Sequence, residues 1–174
     1  GVPQGACNSG SFTTASLGQG AHTFSVRATS PNGTNDTVFE LVNFSVDTIN
    51  PDVPVLSGPS GITNQIDLTW TFTLPEGTGE CRIITAGDPN PAWDACTSPQ
   101  DFVGLSDGDY TFEVRTKDAA RNVSSAVSKS VTVDTAVDVT IDSGPVDGNQ
   151  DAHASIAFSS TESPDVTFQC RFYE

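Results

Sequence analysis

Ile66-Asp67-Leu68-Thr69-Trp70-Thr71-Phe72-Thr73-Leu74 sets an apolar side chain at every second position, with threonine or aspartate between. That period of two belongs to a strand with one face in a core and the other in water, because successive side chains leave opposite faces of the pleat. The same alternation returns in Tyr110-Thr-Phe112-Glu-Val114-Arg115. Val127, Val131 and Val133 line one face of a further run, which Ser128-Lys-Ser130 interrupts. Turn signals separate these runs: Pro59-Ser-Gly61, Pro75-Glu-Gly77, Gly87-Asp-Pro-Asn-Pro91 and Ser106-Asp-Gly108. No segment keeps an apolar period of 3.6 residues. Strands are predicted near 53–57, 65–74, 79–85, 92–96, 100–104, 109–117 and 126–133, giving an all-β sandwich of about seven strands with Trp70, Phe72, Tyr110, Phe112 and Val114 in its core.

The cysteines place this stretch inside a repeat. Cys7 to Cys81 and Cys96 to Cys170 each span 74 residues, while Cys7 to Cys96 and Cys81 to Cys170 each span 89. The residues between agree. Leu17-Gly-Gln-Gly-Ala-His-Thr-Phe-Ser-Val-Arg27 returns as Leu105-Ser-Asp-Gly-Asp-Tyr-Thr-Phe-Glu-Val-Arg115. Ser45-Val-Asp-Thr48 returns as Thr132-Val-Asp-Thr135, and Ser57-Gly-Pro59 as Ser143-Gly-Pro145. One copy, residues 51–135, is complete; residues 1–50 read as the C-terminal half of a module and residues 136–174 as the N-terminal half of another. With no methionine in the chain, Gly1 is not expected to be a translation start.

These residues resemble fibronectin type III and bacterial Ig-like modules that occur in tandem in large surface proteins. Leu68-Thr-Trp70 followed by Pro75-Glu-Gly77 is similar to their second strand, and Leu105-Ser-Asp-Gly-Asp-Tyr110-Thr-Phe112-Glu-Val114 to their corner and sixth strand. The pattern Cys81…Trp93-Asp-Ala-Cys96-Thr-Ser-Pro99, then Asp118-Ala-Ala120 and a closing Val133-Asp-Thr135, completes the likeness. A tyrosine at the corner commonly bonds backbone across it. The first copy departs from the pattern with His22 in place of that tyrosine and Ser30-Pro-Asn32 near the Asp118 position. The resemblance implies a mechanical or adhesive role and supplies no catalytic residues.

Composition narrows the partners. The net charge is −15, with Lys117 and Lys129 the only lysines. Phosphate backbones and anionic lipid surfaces repel such a chain, so neither a nucleic-acid partner nor membrane insertion is expected. No apolar run approaches the roughly 20 residues of a membrane helix.

An even cysteine count in a β-protein of this kind points to disulfides and an extracellular setting. Cys81 and Cys96 bracket the Gly87–Pro91 turn, so their pairing would close a local hairpin. Metal binding by the four cysteines is the rival, but no Cys-x-x-Cys pair exists. By the repeat, Cys170 corresponds to Cys81 and Cys7 to Cys96, so each looks to the missing half of its module. Joining one chain's end to another's start would close a shorter hairpin through Cys170 and Cys7. Separate chains completing one another head to tail, one long continuous chain and a truncation all produce this pattern.

Acidic residues flank the predicted linkers: Asp47 and Asp52 at one, Asp134 and Asp138 at the next. Hard oxygen ligands there make Ca²⁺ a candidate cofactor, against the competing reading of solvated surface charge. Acceptor tripeptides for glycosylation begin at Asn32, Asn35 and Asn122 in predicted turns, and at Asn43 in a predicted strand. His22 and His153 are the only histidines, and no nucleophile elbow, zinc-protease helix motif or phosphate loop is present, so no enzyme is expected. Trp93, Phe172 and Tyr173 are the candidate sugar-stacking aromatics, with Trp93 expected over the disulfide. The sequence thus points to a secreted, cell-surface structural module that partners copies of itself, as a segment of a filament, stalk or adhesin. The alternative is a carbohydrate-binding or spacer module of a secreted enzyme.

Overall fold

The computed structural model describes residues 10–146, 148, 153–161 and 166–173, and among them the chain is all-β with no helix. Eight strands fill the central stretch: β3 (Val55–Ser57), β4 (Gly61–Thr63), β5 (Leu68–Thr73), β6 (Thr78–Thr85), β7 (Asp94–Cys96), β8 (Gln100–Phe102), β9 (Gly108–Lys117) and β10 (Val127–Val133). They form a three-stranded sheet ordered β3-β5-β8 and a five-stranded sheet ordered β4-β10-β9-β6-β7. All neighbours are antiparallel except β4 and β10, which run parallel with Val131 opposite Gly61.

The alternating stretch behaves as its pattern demands. Leu68, Trp70 and Phe72 of β5 point inward and are buried, while Thr69, Thr71 and Thr73 between them are exposed. From the opposite sheet come Phe112, Val114, Val131 and Val133, and the two inner faces interlock into one core with Cys81. Trp70 stacks on Phe112 with ring centroids 5.3 Å apart, and Phe102 stands edge-on to Trp70 at 5.5 Å. Fully burying each such ring or branched side chain contributes about 1.5–3 kcal/mol.

Two glycines are fixed by contact rather than by composition. A Cβ on Gly58, whose φ is +144°, would stand 2.6 Å from the Trp70 ring; a Cβ on Gly77 would stand 2.1 Å from the Lys117 carbonyl oxygen. Between Gly58 and Gly61 the chain leaves β3, which is paired with β5, and crosses to the edge of β10, so the segment read as the Pro59-Ser-Gly61 turn includes the start of an eighth strand, β4. That short strand carries no alternation because it lies along an edge, with Ile62 in solvent.

Two hairpins flank the sandwich: β1 (Gly20–Val26) with β2 (Glu40–Val46), and β11 (Thr140–Ser143) with β12 (Ala157–Ser159). Neither contains a fully buried residue.

Candidate functional site

The β1–β2 hairpin repeats β9–β10 in backbone register and in side-chain detail. Gly20 faces Val46 and His22 faces Phe44, as Gly108 faces Val133 and Tyr110 faces Val131. Gly20 and Gly108 both take positive φ. Thr23 Oγ1 donates to Asn43 Oδ1 across the pair (2.6 Å) where Thr111 and Ser130 share a hydroxyl bond (2.8 Å). Phe12 packs on Phe24 at 5.7 Å as Phe102 packs on Phe112 at 6.0 Å.

The corner matches too. Tyr110 donates its hydroxyl to Ser106 O at 2.9 Å, and His22 Nε2 lies 2.8 Å from Gly18 O. A carbonyl only accepts, so His22 carries its proton on Nε2 here. Histidine thus spans the same corner as tyrosine, and the corner bond is formed in spite of the exchange. The loop that follows is also shared: Arg121 N donates to Asp118 O and Asp118 N to Asn122 O, while Gly33 N donates to Ser30 O and Ser30 N to Thr34 O.

The two hairpins differ in what covers them. On β9–β10, Phe112, Val114 and Val131 are 0–2% exposed beneath Leu68, Trp70 and Phe72. On β1–β2, Val26 and Phe44 are each 39% exposed. At the other end Ile156 and Phe158, the counterparts of Trp70 and Phe72, are likewise open at 46% and 38%. Phe172 and Tyr173 stand in solvent.

Cys81 and Cys96 form a disulfide that joins β6 to β7, with their Cα atoms 5.8 Å apart. Cys170 is an exposed free thiol. Cys7 lies outside the described residues, so the pairing predicted for it with Cys170 does too.

Trp93 departs from expectation. Cys81 points into the core, whereas Arg82 and Arg115 leave the outer face, and both lay their guanidinium groups on the indole at 4.5 Å and 4.3 Å from its centroid. Cations on that ring occupy the surface a sugar would stack on. Beside it, Arg82 pairs with Glu113, and Glu80 accepts from both Arg115 and Lys117, each at 2.7 Å. Hydrogen bonds from Lys117 and then Arg115 hold the Glu80 carboxyl below its ordinary value of 4.5. A depressed folded pKa gives stability that is complete above the unfolded value and is lost as pH falls through the folded one. Glu80→Gln is therefore expected to lower stability by about 1 kcal/mol at pH 7, the scale of a partly exposed pair. The gap from wild type should close as thermal melts move from pH 5 to pH 3, and a constant gap would refute the ion-pair origin.

The junction acids serve the backbone. Asp47 Oδ1 accepts from Ile49 N and Asp134 Oδ1 from Ala136 N, the same short turn at both linkers. Thr48 is tied to Gln19, and Thr135 to Asp107 at the equivalent place. Asp138 accepts from Thr161 and Ser160, and the Thr161 bonds lower its pKa. Asp52 is exposed. Among the described residues no three His, Cys, Asp or Glu side chains gather as a metal-binding group, so Asp47, Asp52, Asp134 and Asp138 are not brought together as one.

Asn122 Nδ2, the atom a glycan would take, donates to Asp118 Oδ2 at 2.8 Å and to Asp47 O at 3.2 Å, so its loop reaches back onto the linker. Asn32 and Asn35 are exposed in their loop; their Oδ1 atoms accept from Ser30 and Thr29. Asn43 sits in β2 as expected. Sequence reading missed the Arg82–Trp93–Arg115 stack and the Asn122 contact; both join residues far apart in the chain, which no local pattern reports. No protein-family model matches the chain, and no curated protein matches it in sequence.

Proposed function

We propose that the chain is part of a tandem array of Ig-like, fibronectin type III-like sandwich modules repeating at about 89 residues. Its role is mechanical: a structural segment of an extracellular filament, stalk or adhesin. Each exposed half-module face is completed by the matching half of a neighbouring copy, and Cys7 and Cys170 meet at that junction. The observation that supports this most is the β1–β2 hairpin, which carries the register, corner bond and aromatic pair of β9–β10 while its apolar face stays open. The disulfide suits an oxidising, extracellular setting. The linker turns at Asp47 and Asp134, built alike, would set successive modules at a fixed spacing.

Stretching the native assembled material tests this reading. Evenly spaced unfolding events are expected, each releasing about 250 Å from a bridged module at roughly 3.5 Å per residue. Reductant should lengthen the step of each module that holds a Cys81–Cys96 bridge by about 50 Å as that loop is freed. Extension without a repeated step would overturn the array.

A further inference from the structure

We infer that the edge of β1 that is unpaired among the described residues receives residues 166–173 of a second copy of this chain as an added antiparallel strand, in the register that β6 uses on β9. The inference rests on the array reading and goes further, naming the edge, the strand and the residue pairs.

β9 is hydrogen-bonded on both sides, to β10 and to β6. Its counterpart β1 is paired with β2 alone among the described residues. An open edge presents a row of unpaired N–H and C=O groups, and an extended segment of matching pattern satisfies them. Val166-Thr-Phe168-Gln-Cys170-Arg-Phe172-Tyr173 alternates apolar and polar residues, shares Cys-Arg with Cys81-Arg82 of β6, and enters no strand among the described residues. Phe172 is 82% exposed where its counterpart Ile83 packs against the core.

The β6–β9 ladder sets Cys81 opposite Val114, Arg82 opposite Glu113 and Ile83 opposite Phe112. Carried onto β1, that register puts Cys170 opposite Val26, Arg171 opposite Ser25 and Phe172 opposite Phe24. Phe172 then covers the open Phe24–Phe44 face. One substitution pair fits this register in particular. Gly79 faces the buried Thr116 in a tight place, its Cβ position lying 3.1 Å from the Cys96 carbonyl oxygen and 3.2 Å from the Phe72 ring. At the proposed junction Phe168 replaces Gly79 and the smaller Ala28 replaces Thr116. Phe168 already rests on Phe158, the counterpart of Phe72, at 4.9 Å. On the outer face Gln169 meets Arg27 and Arg171 meets Ser25, so no like charges are opposed.

Mixed-chain crosslinking tests the register. Two full-length preparations, both carrying Cys7→Ser and Cys170→Ser, receive Ser25→Cys in one and Arg171→Cys in the other, and a short bismaleimide joins neighbouring thiols. A band at twice the 18.2 kDa chain is expected, at least tenfold stronger than when Thr167→Cys replaces Arg171→Cys. Thr167 lies four positions along, about 13 Å away. Equal yields, or more product with Thr167→Cys, would overturn the register. No dimer from chains whose tryptophan emission shows a folded core would overturn strand addition itself. The array reading would then still stand or fall by the stretching steps.

Discussion

Trp70→Ala is expected to remove about 3–5 kcal/mol from the central sandwich, the cost of emptying a fully buried large aromatic site. Trp70 is 0% exposed and touches both sheets, lying flat on Phe112 of β9 and edge-on to Phe102 of β8. Alanine leaves a cavity between two hydrogen-bonded sheets, which cannot close on it without breaking their ladders. For a domain whose whole stability is of order 5–15 kcal/mol, that loss moves the urea midpoint by about 2 M or more. Trp93 remains as the sole tryptophan and lies in the same sandwich, so its emission follows the transition. Trp70→Phe should cost much less, about 1–2 kcal/mol. It keeps most of the ring contact, and it removes an indole N–H that has no acceptor among the described residues. A loss below 1 kcal/mol for Trp70→Ala would mean that the two sheets are not held together through this ring.

The features that sequence made legible are those whose physics is local. Alternation over residues 66–74 predicts a strand from side-chain direction alone, and β5 buries Leu68, Trp70 and Phe72, although Ile66 lies two residues before the strand and is 44% exposed. Recurrence of Leu17–Arg27 as Leu105–Arg115 predicted similar elements, and the two hairpins share their register. What escaped depends on approach between distant segments. Gly77 looks like any turn glycine until the Lys117 carbonyl is placed beside it. Trp93 follows its neighbours toward the cysteines in sequence, but the strand parity of β6 sends Cys81 inward and Arg82 outward, and the indole goes with the arginines. Asp47 and Asp134 read from sequence as metal ligands or as solvated surface charge, because spacing does not show which way a carboxylate points. Their bonds to Ile49 N and Ala136 N put one oxygen of each carboxylate into a short linker turn.

Removing the Cys81–Cys96 bridge is expected to cost about 3 kcal/mol, the chain-entropy value for a loop of about 15 residues. The paired variant Cys81→Ala/Cys96→Ala is the right comparison. Cys81 is buried, and serine there would add the separate cost of a hydroxyl in an apolar core. The loss should be uneven across the sheet. β7 has three residues and among the described residues pairs with β6 alone, through Gly79–Cys96, Glu80–Ala95 and Cys81–Asp94, so the bridge is its one covalent tie across the ladder. Without it, amide exchange should quicken by tenfold or more at 94–96, while β9 keeps the protection set by its two neighbours. Trp93, next to β7 in the chain, would lose its fixed place beneath Arg82 and Arg115, and its emission should shift to the red as water reaches the ring. Uniform loss of protection in β9 and β7 together would show the bridge holding the whole sandwich rather than its edge. Unchanged exchange at 94–96 would show that strand pairing alone holds the hairpin.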